Sequence, residues 1–340
     1  MTDEKTPAAV LKRLMRGESL SRVETEELFG RLMDGQISDP LKAALLVALA
    51  MKREHPQEIA GAAAAMRARA VRIPHRREGV VDTCGTGGDG MGTFNISTAA
   101  ALVAAAAGAP VAKHGNRSVS SRSGSADVLA ALGVNLEISP ARAGAALDEV
   151  GIAFLFAPRL HPAMREVMPV RRELGVRTIF NLLGPLTNPA GARRQLMGVY
   201  APELVEVAAR VLAELGSEHA LVVHGSDGLD EITTTGPTAI GEVRGGEVRV
   251  FELWPEEVGV ERAGAAALQG GDPEHNAALL REILAGVSGP LADVVALNAG
   301  AALYVAGRAA DIAAGVVVAR QTMTSGAAAR RLEELRRFTA

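Results

Sequence analysis

The run Asp82-Thr83-Cys84-Gly85-Thr86-Gly87-Gly88-Asp89-Gly90 carries a literal G-x-G-x-x-G at positions 85–90, directly after Gly79-Val80-Val81-Asp82, a short apolar run that reads as a strand. A dinucleotide fingerprint would open its helix on the glycines and place an acid about 20 residues further on for the ribose hydroxyls. Here the Gly-rich text runs from Gly85 to Ser97 before helical text begins at Thr98, and Pro110 to Lys113 stand where that acid belongs. No Lys-Ser or Lys-Thr pair follows the glycines, so a nucleoside triphosphate loop fails as well. That leaves a loop for some other phosphorylated ligand, or a purely structural Gly-rich turn.

From Gly90 to Ala126 the chain has no Asp or Glu, yet it has Lys113, His114, Arg117 and Arg122 among Ser, Thr, Asn and Gly. Glycines let backbone N–H groups form an anion nest, the helix start near Ser97 adds its dipole, and the cations compensate charge. A second Gly-rich turn, His114 to Gly124, follows a second strand beginning at Pro110-Val111-Ala112-Lys113. Both turns should lie at the carboxyl ends of neighbouring strands, where open α/β sheets bind ligands. Together they suit a ligand phosphorylated at two ends.

Further out, strands are expected at Ile152–Phe156, Gln195–Tyr200, Ala220–His224 and Glu247–Phe251. Helices are expected at 125–132, 202–215, 274–285, 291–305, 311–319 and 327–337. Strands alternating with helices favour parallel pairing, and the two late strands around Gly245-Gly246 read as a hairpin. Before all this, from Pro7 to about Arg72, Ala/Leu/Glu/Arg-rich text at helical spacing reads as about four helices, with Ser21 and Ser38 placed as caps. The fold class is therefore α/β: a small all-helical domain plus a larger domain with a central mixed, mostly parallel sheet flanked by helices.

The 340 residues favour two domains over one. A net charge of −3 offers no global attraction to nucleic acid or anionic membrane, so phosphate chemistry must be local. Cys84 is the single cysteine, which excludes an intramolecular disulfide and fits a reducing cytosol, and the N-terminal text lacks a signal-peptide core. A cytoplasmic protein is expected.

Two more segments bear on chemistry. In His224-Gly225-Ser226-Asp227-Gly228-Leu229-Asp230-Glu231 the adjacent carboxylates follow a strand end; beside a phosphate site they suit Mg²⁺, while alone they would read as an acidic cap or a solvated turn. In the run from His161 to Pro189, an arginine could hold a carboxylate-bearing acceptor through its forked donors, or could simply pair with Glu166 or Glu173 at the surface.

Taken in order, GTGGDGMGTFNIST (85–98), KHGNRSVSSRSGSADVLAALG (113–133), HPAMREVMPVRRELGVRTIFNLLGPLTNP (161–189) and HGSDGLDEIT (224–233) resemble the anthranilate phosphoribosyltransferases. These are enzymes of tryptophan biosynthesis within the nucleoside phosphorylase-like phosphoribosyltransferase group, and the likeness covers nearly the whole chain. It implies transfer of phosphoribose from phosphoribosyl pyrophosphate to anthranilate, Mg²⁺ dependence and a homodimer. It implies a helical domain of residues 1–78 and about 161–190, joined by a hinge to an α/β domain of residues 79–160 and 191–340.

Carried over position by position, the resemblance gives phosphoribosyl pyrophosphate contacts at Gly85, Gly88, Asp89, Thr93, Asn95, Ile96, Ser97, Thr98, Lys113, His114, Gly115, Asn116, Arg117, Ser118, Val119, Ser120, Ser121 and Ser125. Anthranilate contacts fall on Gly85, Asn116 and Arg171, with His114 and His161 near the acceptor path or merely packed. Mg²⁺ positions fall on Ser97, Asp230 and Glu231, and no dominant catalytic acid or base is implied. Cys84 receives no chemistry. Rival readings are a pyrimidine nucleoside phosphorylase, which shares the fold, and a non-catalytic paralogue that binds nucleic acid.

Overall fold

Four helices occupy the start of the chain: α1 (Pro7–Met15), α2 (Arg22–Met33), α3 (Asp39–Lys52) and α4 (Pro56–Ala68). The computed structural model describes residues 6–118 and 122–340. Proline stands in the first turn of α1, α3 and α4, where its missing N–H leaves no gap in the ladder. Ser21 makes a full capping box with Glu24. Ser38 occupies the cap position of α3 but makes no cap hydrogen bond, so Pro40 and the Asp39 carboxylate set that start instead.

Strands and helices then alternate through β1 (Val81–Asp82), α5 (Ile96–Ala106), β2 (Val111–Gly115), α6 (Ser125–Ala131), α7 (Pro140–Glu149) and β3 (Ile152–Phe156). The chain next leaves the sheet through short helices α8 (Ala157–Leu160), α9 (Met168–Leu174) and α10 (Phe180–Leu183). It returns as β4 (Arg194–Gly198), α11 (Leu204–Glu214), β5 (His219–Gly225), β6 (Thr238–Arg244) and β7 (Glu247–Leu253). Four helices close it: α12 (Pro273–Leu284), α13 (Pro290–Val305), α14 (Ile312–Thr324) and α15 (Ala327–Thr339).

The seven strands form one sheet in the order β3-β2-β1-β4-β5-β6-β7. The pairs from β3 to β5 are parallel, and β5-β6-β7 is antiparallel. Gly245 and Gly246 both take left-handed φ at the β6–β7 turn, the conformation a tight hairpin requires. The chain runs from β1 outward to β3 and then restarts on the other side with β4. The carboxyl ends of β1, β2, β4 and β5 therefore meet at a topological switch point.

Alternate residues of each strand point to opposite faces of the sheet, one face feeding a single large core and the other split between two, with Ala112, Ala153 and Leu155 packing on α7. Leu196, Leu221 and Val223 face α5 and α13, whereas Met197, Val199, Ala220 and Val222 face α11, α2, α4 and residues 167–186. The Ala-rich helices pack closely: a Cβ on Gly315 of α14 would lie 2.2 Å from the Gly300 carbonyl of α13. Three crossings join the helical layer to the sheet, and they bond to one another. Val71 N–H donates to Leu160 O at 2.8 Å, Ile73 N–H to Pro189 O at 3.1 Å, and the His75 Nε2 atom lies 2.9 Å from Ala190 O.

Candidate active site

The first Gly-rich loop leaves β1 in contact with the ends of β4 and β5. Thr86 N–H donates to Gly198 O at 2.9 Å and Gly87 N–H to Asp230 Oδ2 at 2.7 Å. A Cβ on Gly85 would sit 3.1 Å from both Asp230 Oδ2 and Gly198 O, tighter than side chains normally accept. Gly87, Gly88, Gly90 and Gly92 all have φ between 65° and 77°, which turns successive amides outward. Among the described residues nothing accepts from the N–H groups of Gly88, Asp89 or Gly90. The Asp89 carboxylate serves its own loop, accepting from Met91 N–H at 3.1 Å and from Asp230 N–H at 3.4 Å. Residues 268–270 strap the loop's far end, Gly270 N–H to Gly92 O at 2.9 Å, with Thr93 bridged to Gln269.

The second loop is stapled to the first through Asn95. Its Nδ2 donates to Ser123 O at 3.1 Å, and its Oδ1 accepts from Asn276 Nδ2 at 3.0 Å. Helix α5 begins at Ile96, two residues earlier than its sequence suggests, because Ile96 reaches into the core. Its side chain is buried and its N–H is bonded to Phe94 O at 2.8 Å, while the Thr98 hydroxyl is buried without a partner among the described residues. Lys113, at 3% exposure, spans the crevice: its ammonium donates to Thr83 O at 3.0 Å, Thr83 Oγ1 at 3.2 Å and Ser97 Oγ at 3.2 Å.

Beyond β2, Asn116 O accepts from Ala126 N–H at 3.1 Å and Ser125 Oγ at 3.4 Å. A Cβ on Gly115 would collide with Ser125 Oγ at 2.3 Å. Arg117 turns toward Asp127 at 3.1 Å, and Ser118 N–H donates to the same carboxylate at 3.0 Å. Val119, Ser120 and Ser121 lie outside the described residues.

Asp230 and Glu231 lie in no helix, which removes the helix-cap reading. Asp227 shapes their turn by accepting from Thr233 Oγ1 and Thr235 Oγ1, both at 2.7 Å, and Asn298 clamps Ile232 through N–H and C=O at 3.0 and 2.8 Å. Ser97 N–H donates to Glu231 Oε1 at 3.2 Å. Burial pushes the Asp230 carboxyl well up, reinforced by the charges of Glu231 and Asp89. Burial likewise lifts Glu231 to about 7 against the pull of Lys113. Three carboxylates thus converge beside an anion cradle with one ammonium among them. Among the described residues no three His, Cys, Asp or Glu side chains form a ready metal cage. The oxygen set fits Mg²⁺, which takes one or two carboxylates and keeps waters and phosphate oxygens for the rest.

The segment between β3 and β4 brings His161, Arg171 and Arg177 toward the crevice, where His161 meets His114 of β2. His161 Nε2 lies 3.2 Å from His114 Nε2, and His114 Nδ1 lies 3.1 Å from Gly184 O. The network assigns protons to His114 Nδ1 and His161 Nε2. Burial depresses His114 to about 3 and His161 to about 4, so both rings are neutral near pH 7. Arg171 is half-buried with its guanidinium 5.6 Å from the Phe180 ring centroid; no carboxylate among the described residues pairs with it, neither Glu166 nor Glu173. No described contact joins Arg171 to Gly85 or Asn116.

Sequence reasoning passed over several residues that shape the site. Asp82 is fully buried, accepts from His114 N–H at 3.1 Å and Asn188 Nδ2 at 2.7 Å, and is raised by burial to about 6. Gly198, Asn276, Asn298 and Arg177 were missed likewise. Only a glycine ending a strand, as in Met197-Gly198-Val199, offered a signal. The Cys84 thiol donates to Gly85 O at 3.5 Å and burial raises its pKa, so it is an inert thiol.

A helical bundle beside a switch-point sheet that carries a row of unaccepted loop amides and a carboxylate pair fits a sugar-transfer protein of one particular build. Residues 8–70 match the helical bundle domain of the glycosyl transferase family, and residues 77–329 match its a/b domain. Anthranilate phosphoribosyltransferase of Symbiobacterium thermophilum is 53% identical over 331 residues, covering 97% of each chain. The crystal structure of anthranilate phosphoribosyltransferase from Thermus thermophilus superposes with a TM-score of 0.92 at 52% identity, covering 97% of this chain and 98% of that one. The Saccharomyces cerevisiae enzyme, in complex with PRPP and Mg, gives a TM-score of 0.88 at 26% identity over 99% of both chains. The chain belongs to the anthranilate phosphoribosyltransferase family.

Proposed function

We propose that the chain transfers the 5-phosphoribosyl group from phosphoribosyl pyrophosphate to the amine of anthranilate in tryptophan biosynthesis, releasing N-(5-phosphoribosyl)anthranilate and pyrophosphate. The observation that carries this reading is Lys113, whose ammonium links the strand end before one Gly-rich loop to the helix start after it while Asp230 and Glu231 face the same crevice. The free amides of Gly88, Asp89 and Gly90 receive the diphosphate, and the second loop from Gly115 to Ser125 receives the 5-phosphate. Asn95 acts by holding the two loops at a set distance, since both ends of its amide are engaged. Ser97, Asp230 and Glu231 would hold Mg²⁺, which supplies charge to the leaving diphosphate.

At C1 of the ribose the bond to the diphosphate oxygen breaks and a bond to the amine nitrogen forms, with oxocarbenium character between, and the amine's surplus proton leaves to water. An aromatic amine is neutral at pH 7 and needs no strong base, which suits a site whose two histidines are neutral and bonded to each other. Rate enhancement then comes from positioning and from amides fixed toward the departing charge. Gly85 leaves room for the acceptor, Asn116 and the unpaired Arg171 bind its carboxylate, and His114 with His161 walls its path.

The helical domain includes about 161–190 by the same reading, supported by the shared core of Val167, Val170 and Phe180 with α2 to α4. A homodimer is supported by the exposed apolar side chains of the first helices, Met51 of α3 at 82% and Met15 of α1 at 74%. No helix among the described residues is long and apolar enough to cross a membrane, and we place the enzyme in the cytoplasm. Loss of anthranilate fluorescence should require both phosphoribosyl pyrophosphate and Mg²⁺. Turnover that persists after chelation would remove Asp230 and Glu231 from the proposed role.

A further inference from the structure

We propose that Arg177 is a binding residue for the diphosphate end of the donor, delivered to the first Gly-rich loop by the segment between β3 and β4. This rests on the reading of the site as a phosphoribosyl pyrophosphate site and goes beyond it by assigning a cation that none of the loop motifs contains.

The guanidinium sits on the loop itself. Its Nη2 donates to Gly88 O at 2.6 Å, beside the N–H groups of Gly88, Asp89 and Gly90 that have no acceptor among the described residues. Its Cζ lies 3.9 Å from the Tyr200 ring centroid, and Tyr200 N–H donates to Thr86 Oγ1 at 3.1 Å, so the stacking platform is anchored to the same loop. Stacking holds the plane of the fork and leaves its edge donors free. A guanidinium has five N–H donors, and Arg177 commits one of them here.

Charge supplies the second argument. The carboxylates bonded around this loop, Asp89 and Asp230 with Glu231 beside them, are acidic, while the diphosphate brings several negative charges of its own. Lys113 is committed to Thr83 and Ser97 behind the loop, and Arg117 is committed to Asp127. Arg177 has no carboxylate within ion-pair distance among the described residues, so it meets a diphosphate with its charge uncompensated. Planar, forked recognition of phosphate is what this side chain does best.

The test compares full-length wild type with Arg177→Ala and Arg177→Gln, both checked for unchanged melting. Calorimetric titration with inorganic pyrophosphate and Mg²⁺ should show binding weakened at least tenfold in both variants. The donor KM should rise by a similar factor, with the anthranilate KM unchanged. Glutamine can still donate to Gly88 O but carries no charge, so wild-type pyrophosphate binding by Arg177→Gln would mean that Arg177 only pins the loop, and would overturn the inference. Equal binding by Arg177→Ala, or a change confined to the anthranilate KM, would overturn it too. A wild type that gives no heat with pyrophosphate would bring down the reading of the whole site, whereas the variant outcomes bear on Arg177 alone.

Discussion

Replacing Gly198 by alanine is expected to disable the site by displacing the backbone of Asp230. The new Cβ would lie 1.5 Å from the Asp230 carbonyl oxygen and 2.5 Å from its carbonyl carbon. Those atoms are backbone, and the turn around them is held on one side by Asn298 and on the other by Asp227. To restore a 3.0 Å contact the carbonyl must retreat by roughly 1.5 Å, or β4 must shift by as much. A misplacement of about 1 Å at a reacting centre can reduce the rate on the order of 100-fold, equivalent to about 2.7 kcal/mol of transition-state stabilisation. Overpacking of this kind also destabilises the fold by about 1–3 kcal/mol. Anthranilate fluorescence loss measured across a Mg²⁺ series would show kcat/KM for the donor down about 100-fold, with only a modest fall in melting temperature. Wild-type kcat/KM in a folded Gly198→Ala protein would refute the argument that the fixed position of Asp230 matters.

Arg171→Ala should raise the anthranilate KM roughly 10- to 100-fold, the size expected for a charge-assisted pair, with the donor KM unchanged; steady-state kinetics in both substrates decide it, and an unchanged acceptor KM removes Arg171 from the site. The depressed pKa values of His114 and His161 mean that the unfolded chain takes up protons the folded chain refuses between about pH 6.5 and pH 4. Their contribution to stability is therefore full above pH 6.5 and is lost as pH falls toward 4. Urea unfolding at pH 7 and pH 5 should show wild type losing on the order of 2 kcal/mol per ring relative to a His114→Gln/His161→Gln variant. Parallel pH profiles would mean that the rings are not shielded.

What was legible in the sequence is what local pattern encodes. The two Gly-rich loops, their place after consecutive strands and the acid pair after β5 all follow from runs of a dozen residues, and the fold places all three at one crevice. The helices of the first seventy residues are written in their caps and prolines. What escaped depends on contacts between distant segments. Nothing near Asn276 says that its amide will meet Asn95, and the strand-end glycine at 198 hints at a close approach without saying that Asp230 makes it. Asp82 looks like the end of a strand until the fold brings Asn188 to it. Ser38 shows the opposite error, a residue of the right type at the right position that makes no cap bond.

The three crossings between helical layer and sheet, near residues 71–75, 160 and 189–190, run side by side and are bonded into a single ply. Covalent attachment then lies in three neighbouring segments bonded to one another. Such a seam admits rotation about its own length and resists shear and independent drift of any one strand. If donor binding draws the layers together, the path is a one-dimensional swing. Two distance probes placed far from the seam would then change in fixed proportion to each other.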